Sequence, residues 1–143
     1  MPNHPPAAGI RHTLTIPVDD RLTVPAVAEA FTGFADMPPV FATAFLVGFV
    51  EWACIESLAP HLEPGQKTVG THVDLSHSAA TPVGMSVTAE VELVFVEKRK
   101  LRFKVTCRDD VEIICEGFHE RYVIDGSRFM ERLGKKRDRT QDR

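Results

Sequence analysis

The longest apolar run in the chain extends from Val40 to Ile55 and contains a single charged residue, Glu51. Apolar residues occupy every face of a helix drawn through this run, which is typical of a helix enclosed by the rest of its domain. The segment Asp36-Met-Pro-Pro39 precedes the run and Ala59-Pro60 follows it. Since proline is accepted at the start of a helix and disfavoured inside one, the pattern predicts one long helix between these prolines.

Most of the remaining chain alternates between apolar and polar positions, which predicts half-buried strands. The clearest alternation runs from Met85 to Glu97 and places one set of apolar side chains on a common face: Val87, Ala89, Val91, Leu93 and Phe95. Further strands are predicted over residues 10–16, 67–79, 101–108 and 111–124. Short turns are predicted at 81–84, 98–100 and 109–110, and a helical or irregular stretch at 24–34.

The element order is therefore one strand, one long apolar helix and four strands joined by short turns. An antiparallel sheet wrapped around a single helix satisfies this order, because it gives the helix an apolar surface to pack against. We predict an α+β protein with the hot-dog fold. A single copy would leave sheet edges and one side of the helix uncovered, so we also predict a homodimer.

A chain of 143 residues fits one domain. We place it at residues 9–133, between a Pro-rich disordered lead at 1–8 and a highly charged disordered tail at 134–143. The apolar run holds 16 residues, fewer than the roughly 20 that span a bilayer, and no secretory signal is visible. We therefore predict no membrane association.

The net charge of −3 gives no reason to expect nucleic acid as a partner. Cys54, Cys107 and Cys115 are an odd number of cysteines, and their spacing is not that of a metal site. We interpret them as reduced thiols in the core, which predicts a cytoplasmic location.

Glu51 is the first candidate for chemistry, because an isolated buried carboxylate is costly unless it is paired or protonated. It is either a structural carboxylate held by backbone groups or an arginine, or a general base. Thr43, the only hydroxyl in the run, lies eight residues earlier. On a helix the two are about 12 Å apart along the axis and about 80° apart around it, so they share one half of its surface, with Val47 between them.

His77 is the third candidate and lies at the end of a predicted strand, just before a turn. A single histidine is usually structural, and a single helical threonine usually bonds to the preceding turn. Together, however, the hydroxyl of Thr43, the carboxylate of Glu51 and the imidazole of His77 are the groups needed to activate a nucleophile and handle a leaving group.

Weaker signals come from a glycine and a basic turn. The N–H of Gly70 could stabilise an oxyanion, and a plain strand bulge is the alternative. The trio Lys98-Arg-Lys100 could meet phosphates or form a solvated hairpin tip. His72 and His119 are interpreted as surface or core positions of strands.

Neither metal-ligand spacing nor a Gly-rich phosphate loop is present in the sequence, so we predict no metal and no cofactor.

Seven short motifs together resemble the fluoroacetyl-CoA thioesterase family: Val40-Phe-Ala-Thr43, Val47-Gly48, Glu51-Trp-Ala-Cys54, Leu62-Glu-Pro-Gly65, Gly70-Thr71, His77-Ser-Ala-Ala-Thr-Pro82 and His119-Glu-Arg121. The resemblance runs from about Gly9 to Ile124. It implies a homodimeric hot-dog thioesterase in which Thr43, Glu51 and His77 correspond to the catalytic threonine, glutamate and histidine.

The same resemblance places Gly70 near the thioester carbonyl and Arg121 near the active site, as substrate-binding residues. The fluoroacetyl-specific enzyme has a lid with two phenylalanines before its long helix. Here Phe34 fits the first position and Met37 stands at the second, and we add Phe41 to the predicted substrate contacts. Methionine is flexible and apolar, so it closes a pocket while shaping it less strictly than phenylalanine.

The leading hypothesis is an acyl-CoA thioesterase for short or small acyl groups, with coenzyme A as part of the substrate. Thr43 or a water that it orients attacks the thioester, Glu51 acts as base or as an anhydride-forming nucleophile, and His77 assists proton transfer. Two alternatives are a non-catalytic acyl-CoA binding module and a hot-dog hydratase; the hydratase would require an acid and a histidine close together on one short loop.

Overall fold

Five antiparallel strands and two α-helices make up most of the fold in the computed structural model, which describes residues 4–141. In chain order they are β1 Arg11–Pro17, α1 Thr43–Leu58, β2 Gln66–Leu75, β3 Ser86–Glu97, β4 Lys100–Arg108, β5 Ile113–Asp125 and α2 Gly126–Gln141. The strands form one sheet in the order β1-β3-β4-β5-β2, and every neighbouring pair is antiparallel. β1 and β2 are therefore the two edge strands.

The core lies between α1 and one face of the sheet. Leu46, Val50 and Leu58 of α1 are at most 1% exposed. They belong to one cluster with the inward-facing residues of β3 and β4, including Leu93 and Phe103, which are fully buried. This antiparallel sheet with one long helix packed on it is the architecture that the sequence pattern predicted.

The helix α1 begins at Thr43, later than the prolines predicted. Val40 and Phe41 instead form isolated bridges, with Pro82 and Thr23 respectively. The N–H of Phe41 donates to the carbonyl of Thr81 at 2.9 Å. Because these residues pair in extended form with other segments, the helix starts only after them. Thr43 is thereby placed in the first turn of α1, at its open end.

The alternation predicted for β3 fails at Phe95, which is 46% exposed. The register between β3 and β4 shifts between Leu93 and Phe95, so Val94 has no partner of its own in the ladder. A bulge of this kind turns every following side chain to the opposite face. As a result Val96 rather than Phe95 packs against the core.

The connection from β2 to β3 is longer than the short turn predicted. β2 ends at Leu75 rather than at residue 79, and β4 and β5 separate it from β3 in the sheet. Residues 76–85 therefore cross from one side of the sheet to the other. This crossing segment carries His77, and the N–H of Ser78 donates to the carbonyl of Ile114 at 2.8 Å.

The prediction of a disordered tail is wrong for residues 134–141, which lie in α2. Asp125 Oδ1 accepts from the N–H of Arg128 at 3.2 Å and caps the start of this helix. Helix α2 is amphipathic, so the charge of the tail is compatible with a helix whose polar face is solvated. Residues 142–143 and residues 1–3 of the predicted lead lie outside the described residues, and residues 4–8 follow an irregular path.

Among the described residues, one helical stretch, Thr43–His61, is long and apolar enough to pass a membrane-span test by length and composition. The core helix of a soluble protein passes the same test, and α1 packs on the sheet. The three cysteines are buried free thiols, as predicted.

Candidate active site

Thr43 and His77 form a hydrogen-bonded pair at the start of α1. Thr43 Oγ1 lies 2.7 Å from His77 Nδ1. His77 Nε2 is buried and has no hydrogen-bond partner among residues 4–141. If the hydroxyl donates to Nδ1, the neutral ring carries its proton on Nε2. The Thr43 hydroxyl, a possible nucleophile, is then hydrogen-bonded to the basic His77 Nδ1, and the Nε2–H on the opposite side of the ring is a buried donor without a partner among the described residues.

Desolvation keeps this imidazole neutral. Burial lowers the pKa of His77 from the ordinary value of 6.5, because the charged ring would lose hydration. The ring of Phe41 meets the His77 ring edge-on, with centroids 6.3 Å apart. Phe41 itself is completely buried in the single chain and packs against the His77 ring, so a contact between Phe41 and substrate stays a prediction.

Glu51 is bound to Arg121, which β5 contributes. Arg121 Nη1 donates to Glu51 Oε2 at 2.8 Å. The side chain of Glu51 is 36% exposed, whereas that of Arg121 is 4% exposed. The full burial expected for this carboxylate is not seen in the single chain, because Glu51 lies at the surface end of an ion pair whose cation is buried. The pairing with an arginine is one of the two interpretations that the sequence left open for Glu51.

Arg121 is fixed by two further residues. Its Nε and Nη2 donate to the hydroxyl and the carbonyl of Thr68, at 2.9 and 3.0 Å. Its Nη1 also lies 3.1 Å from Nε2 of His119. With its side chain enclosed in this way, Arg121 positions Glu51 in the described chain, and a contact between Arg121 and substrate stays a prediction.

His119 is a buried part of this network whose role the sequence did not reveal. Its Nδ1 donates to the carbonyl of His72 at 2.8 Å, so the neutral ring presents an acceptor at Nε2 to Arg121. Burial, with the nearby arginine as a smaller cause, lowers the pKa of His119. The period of two along β5 is the signal that could have found it, since residues 119 and 121 share one face.

Gly70 lies directly beside the carboxylate of Glu51. A Cβ added at Gly70 would be 2.5 Å from Glu51 Oε2 and 3.3 Å from Arg121 Nη1. The β2–β5 register also shifts between Gly70 and His72. The glycine is therefore both a bulge position and a site of close approach to Glu51. Stabilisation of an oxyanion by its N–H stays a prediction.

The candidate groups form two half-sites in a single chain. The Thr43–His77 pair lies at one end of the open side of α1, and Glu51 lies two turns further on, about 12 Å along the axis. Phe34 and Met37 precede the helix and are 38% and 47% exposed, outside the core. No group of three or more potential ligands for a metal ion occurs in the part of the chain that the structure describes.

Comparison with known proteins identifies the family to which these half-sites belong. A family model described as the fluoroacetyl-CoA-specific thioesterase FlK matches residues 18–127. The chain belongs to this family. The fluoroacetyl-CoA thioesterase of Streptantibioticus cattleyicolor is 42% identical over 128 residues, which cover 90% of this chain and 92% of that protein. The resemblance inferred from the motifs is confirmed, and with it the assignment to the thioester hydrolases.

Solved structures of FlK superpose closely on the chain. One has a TM-score of 0.87 at 42% identity and covers 91% of this chain and 96% of that one. An FlK variant solved with fluoroacetate and CoA has a TM-score of 0.83 at 43% identity and covers 86% and 98%. A thioesterase superfamily member from Thermus thermophilus, at 21% identity and a TM-score of 0.85, covers 96% and 97% and shares the fold.

The half-buried His77 and the buried His119 should make the stability of this FlK-family protein depend on pH. Because burial lowers the pKa of His77 and His119, the unfolded chain binds protons that the folded chain does not. Their contribution to stability is complete above 6.5, the ordinary pKa, and is lost as the pH falls through the folded pKa values. We expect urea unfolding midpoints to decrease on acidification below that value.

The matched variants make this prediction specific. A His77→Gln/His119→Gln double variant should have a flatter midpoint-against-pH profile than the wild type, while His72→Gln, at an exposed position, should keep the wild-type slope. A slope that persists in the double variant would mean that other groups cause the acid destabilisation.

Proposed function

We propose that this protein hydrolyses small acyl-CoA thioesters with Thr43, Glu51 and His77, without a metal or cofactor, in the cytoplasm. The observation that carries the proposal is the 2.7 Å contact between Thr43 Oγ1 and His77 Nδ1, with Nε2 of the ring buried and unpaired. An unsatisfied buried donor is costly, so a polar substrate atom that accepts from it would be bound strongly.

Two routes use these groups. In the first, Glu51 takes a proton from a water that the Thr43 hydroxyl orients, and the water oxygen adds to the thioester carbonyl carbon. The C–S bond then breaks, and the coenzyme A thiolate takes up a proton as the carboxylic acid is released. In the second, a Glu51 oxygen adds to the carbonyl and expels the thiolate, and water hydrolyses the resulting anhydride. The His77 Nε2–H is placed to stabilise the developing charge in either route.

The separation of the half-sites favours catalysis across a homodimer. Thr43, Val47 and Glu51 follow at intervals of four along the open side of α1. If a two-fold axis passes near Val47, two antiparallel copies of the helix place Thr43 of one chain opposite Glu51 of the partner subunit. Gly48, next to Val47, is exposed and has nothing within 4 Å of an added Cβ, so it permits a close helix approach.

Subunit complementation tests this shared site. Thr43→Ala and Glu51→Gln chains are to be co-expressed with different tags and the mixed dimer isolated. Each homodimer should be nearly inactive, whereas the mixed dimer retains one intact site of two and about half of the wild-type kcat. An inactive mixed dimer would place all three groups of one site in the same chain.

A thiol-release assay tests the reaction itself. Acetyl, haloacetyl, propionyl, butyryl and phenylacetyl thioesters of coenzyme A are to be compared, with the Glu51→Gln protein as background. We expect release of thiol from the smaller thioesters above that background. Binding of coenzyme A esters without release from any of them would favour a non-catalytic binding module instead.

The acyl preference of this protein follows from the segment before α1. Met37 occupies the second lid position, where the resemblance implies phenylalanine, and Phe34 the first. We propose a broader preference for small acyl groups than a two-phenylalanine lid would give, because methionine adapts its shape. A sharp haloacetyl optimum in the same assay would contradict this interpretation of Met37.

A further inference from the structure

Positive charge is concentrated at one end of an otherwise acidic protein. The turn 98–100 and helix α2 together hold nine of the 17 lysine and arginine residues but only two of the 20 carboxylates. The rest of the chain is therefore strongly acidic. Such a separation of charge favours a polyanionic ligand at the basic end.

A cavity lies where these two basic segments meet. It has a volume of about 430 Å³ and is lined by Arg99 of the turn, by Arg128 and Arg132 of α2, and by Tyr122 of β5. The ring of Tyr122 is on the face of the sheet opposite the buried Arg121 and is 43% exposed. Three guanidinium groups and an open aromatic ring thus border the same space.

Two of these arginines are free to bind a ligand. The side chains of Arg128 and Arg132 make neither a hydrogen bond nor an ion pair within residues 4–141. Arg99 uses Nη1 to donate to the carbonyl of Val123 at 3.2 Å, which leaves its other donors available.

The two carboxylates that line the cavity have other contacts. Asp125 accepts from the start of α2, through the N–H of Arg128 at 3.2 Å, and Glu131 lies 3.8 Å from the ammonium of Lys135. Neither carboxylate is within ion-pairing distance of the arginines in the cavity.

We propose that this cavity binds the phosphate groups of the coenzyme A nucleotide, with the adenine ring placed against Tyr122. The inference rests on the proposed thioesterase function. Coenzyme A carries a diphosphate and a ribose 3′-phosphate, and the planar guanidinium group is suited to bidentate phosphate binding. An aromatic ring with one open face provides a stacking surface for the base.

The distance to the reacting groups suits this assignment. Tyr122 follows Arg121 directly, so the strand that holds the partner of Glu51 also forms the floor of the cavity. From residue 121 to the first turn of α2 the chain runs about 13 Å. In coenzyme A, the extended pantetheine arm separates the thioester from the phosphates. We place this arm around the end of the sheet where β2 begins.

Truncated substrates test the proposal. An Arg128→Ala/Arg132→Ala double variant is to be compared with the wild type on an acyl-CoA and on the same acyl group carried by pantetheine, which lacks the nucleotide. We expect KM for the acyl-CoA to rise about tenfold or more, with kcat little changed, because two charge-assisted contacts are lost. Kinetics on the acyl-pantetheine should be unchanged.

The matched control is Arg137→Ala/Arg139→Ala, which removes the same charge from α2 outside the cavity lining. It should retain the wild-type KM for the acyl-CoA. Equal losses in both double variants would indicate general attraction to the basic helix and overturn the proposed pocket. Equal losses on both substrates would also overturn it, since they would indicate a disturbed fold.

A binding measurement separates this proposal from the proposed function. Coenzyme A alone is to be titrated calorimetrically into the wild type and both double variants. Binding that weakens about tenfold only in Arg128→Ala/Arg132→Ala supports the pocket even if no thioester is hydrolysed. Hydrolysis by the wild type together with unchanged coenzyme A affinity in this variant would refute the pocket and leave the thioesterase function intact.

Discussion

Replacing Glu51 by glutamine is expected to lower kcat for acyl-CoA hydrolysis by about 10³-fold, the usual scale of a lost general base. In the wild type, Arg121 Nη1 donates to Glu51 Oε2 at 2.8 Å. Glutamine keeps the shape of the side chain and an oxygen that can accept this hydrogen bond. It cannot accept a proton from water or act as a nucleophile. Thiol release under saturating substrate, with circular dichroism to confirm folding, measures the effect.

Glu56→Gln is the matched control. Glu56 lies on the same helix and contacts His12 Nε2 at 2.9 Å, so its substitution also removes a half-exposed carboxylate that is bonded to a basic side chain. We expect kcat to stay within about twofold of the wild type, as for most surface changes. If Glu51→Gln retained comparable activity, Glu51 would be a structural carboxylate held by Arg121 and not the base.

Replacing Gly70 by alanine is expected to lower kcat by about 10²-fold with little loss of stability. The added Cβ would be 2.5 Å from Glu51 Oε2, closer than real Cβ atoms come to other heavy atoms. The flexible end of the glutamate can move away, so the fold tolerates the change. The displaced carboxylate no longer has the geometry for catalysis, and a shift of about 1 Å is enough for such a loss.

The control for this substitution is Gly134→Ala in α2. An added Cβ there meets nothing within 4 Å. It should leave kcat unchanged and, because alanine favours a helix, should not lower the unfolding midpoint. If Gly70→Ala lowered stability and activity in parallel, the close approach would be structural, and the effect on catalysis would be a consequence of unfolding.

The local pattern of apolar and polar residues predicted the elements of this fold well, because the periodicity of a helix or strand involves only residues close together in sequence. Two of the misses share one cause. Phe95 faces outward because of a bulge against β4, and α1 starts at Thr43 because the preceding residues pair with Thr23 and Pro82. Each feature depends on pairing with a segment far away in sequence. The local alternation of apolar and polar residues carries no information about that pairing.

The sequence by itself determined the long apolar helix, the antiparallel sheet, the family and the identity of Thr43, Glu51 and His77 as candidate groups. Only the tertiary structure decided how these groups are held. It paired Thr43 with His77 across 34 positions of sequence and Glu51 with Arg121 across 70. Hydrogen bonds and burial depend on distances in space, so the neutral imidazole, the enclosed arginine and the separation into two half-sites emerged only from the folded chain.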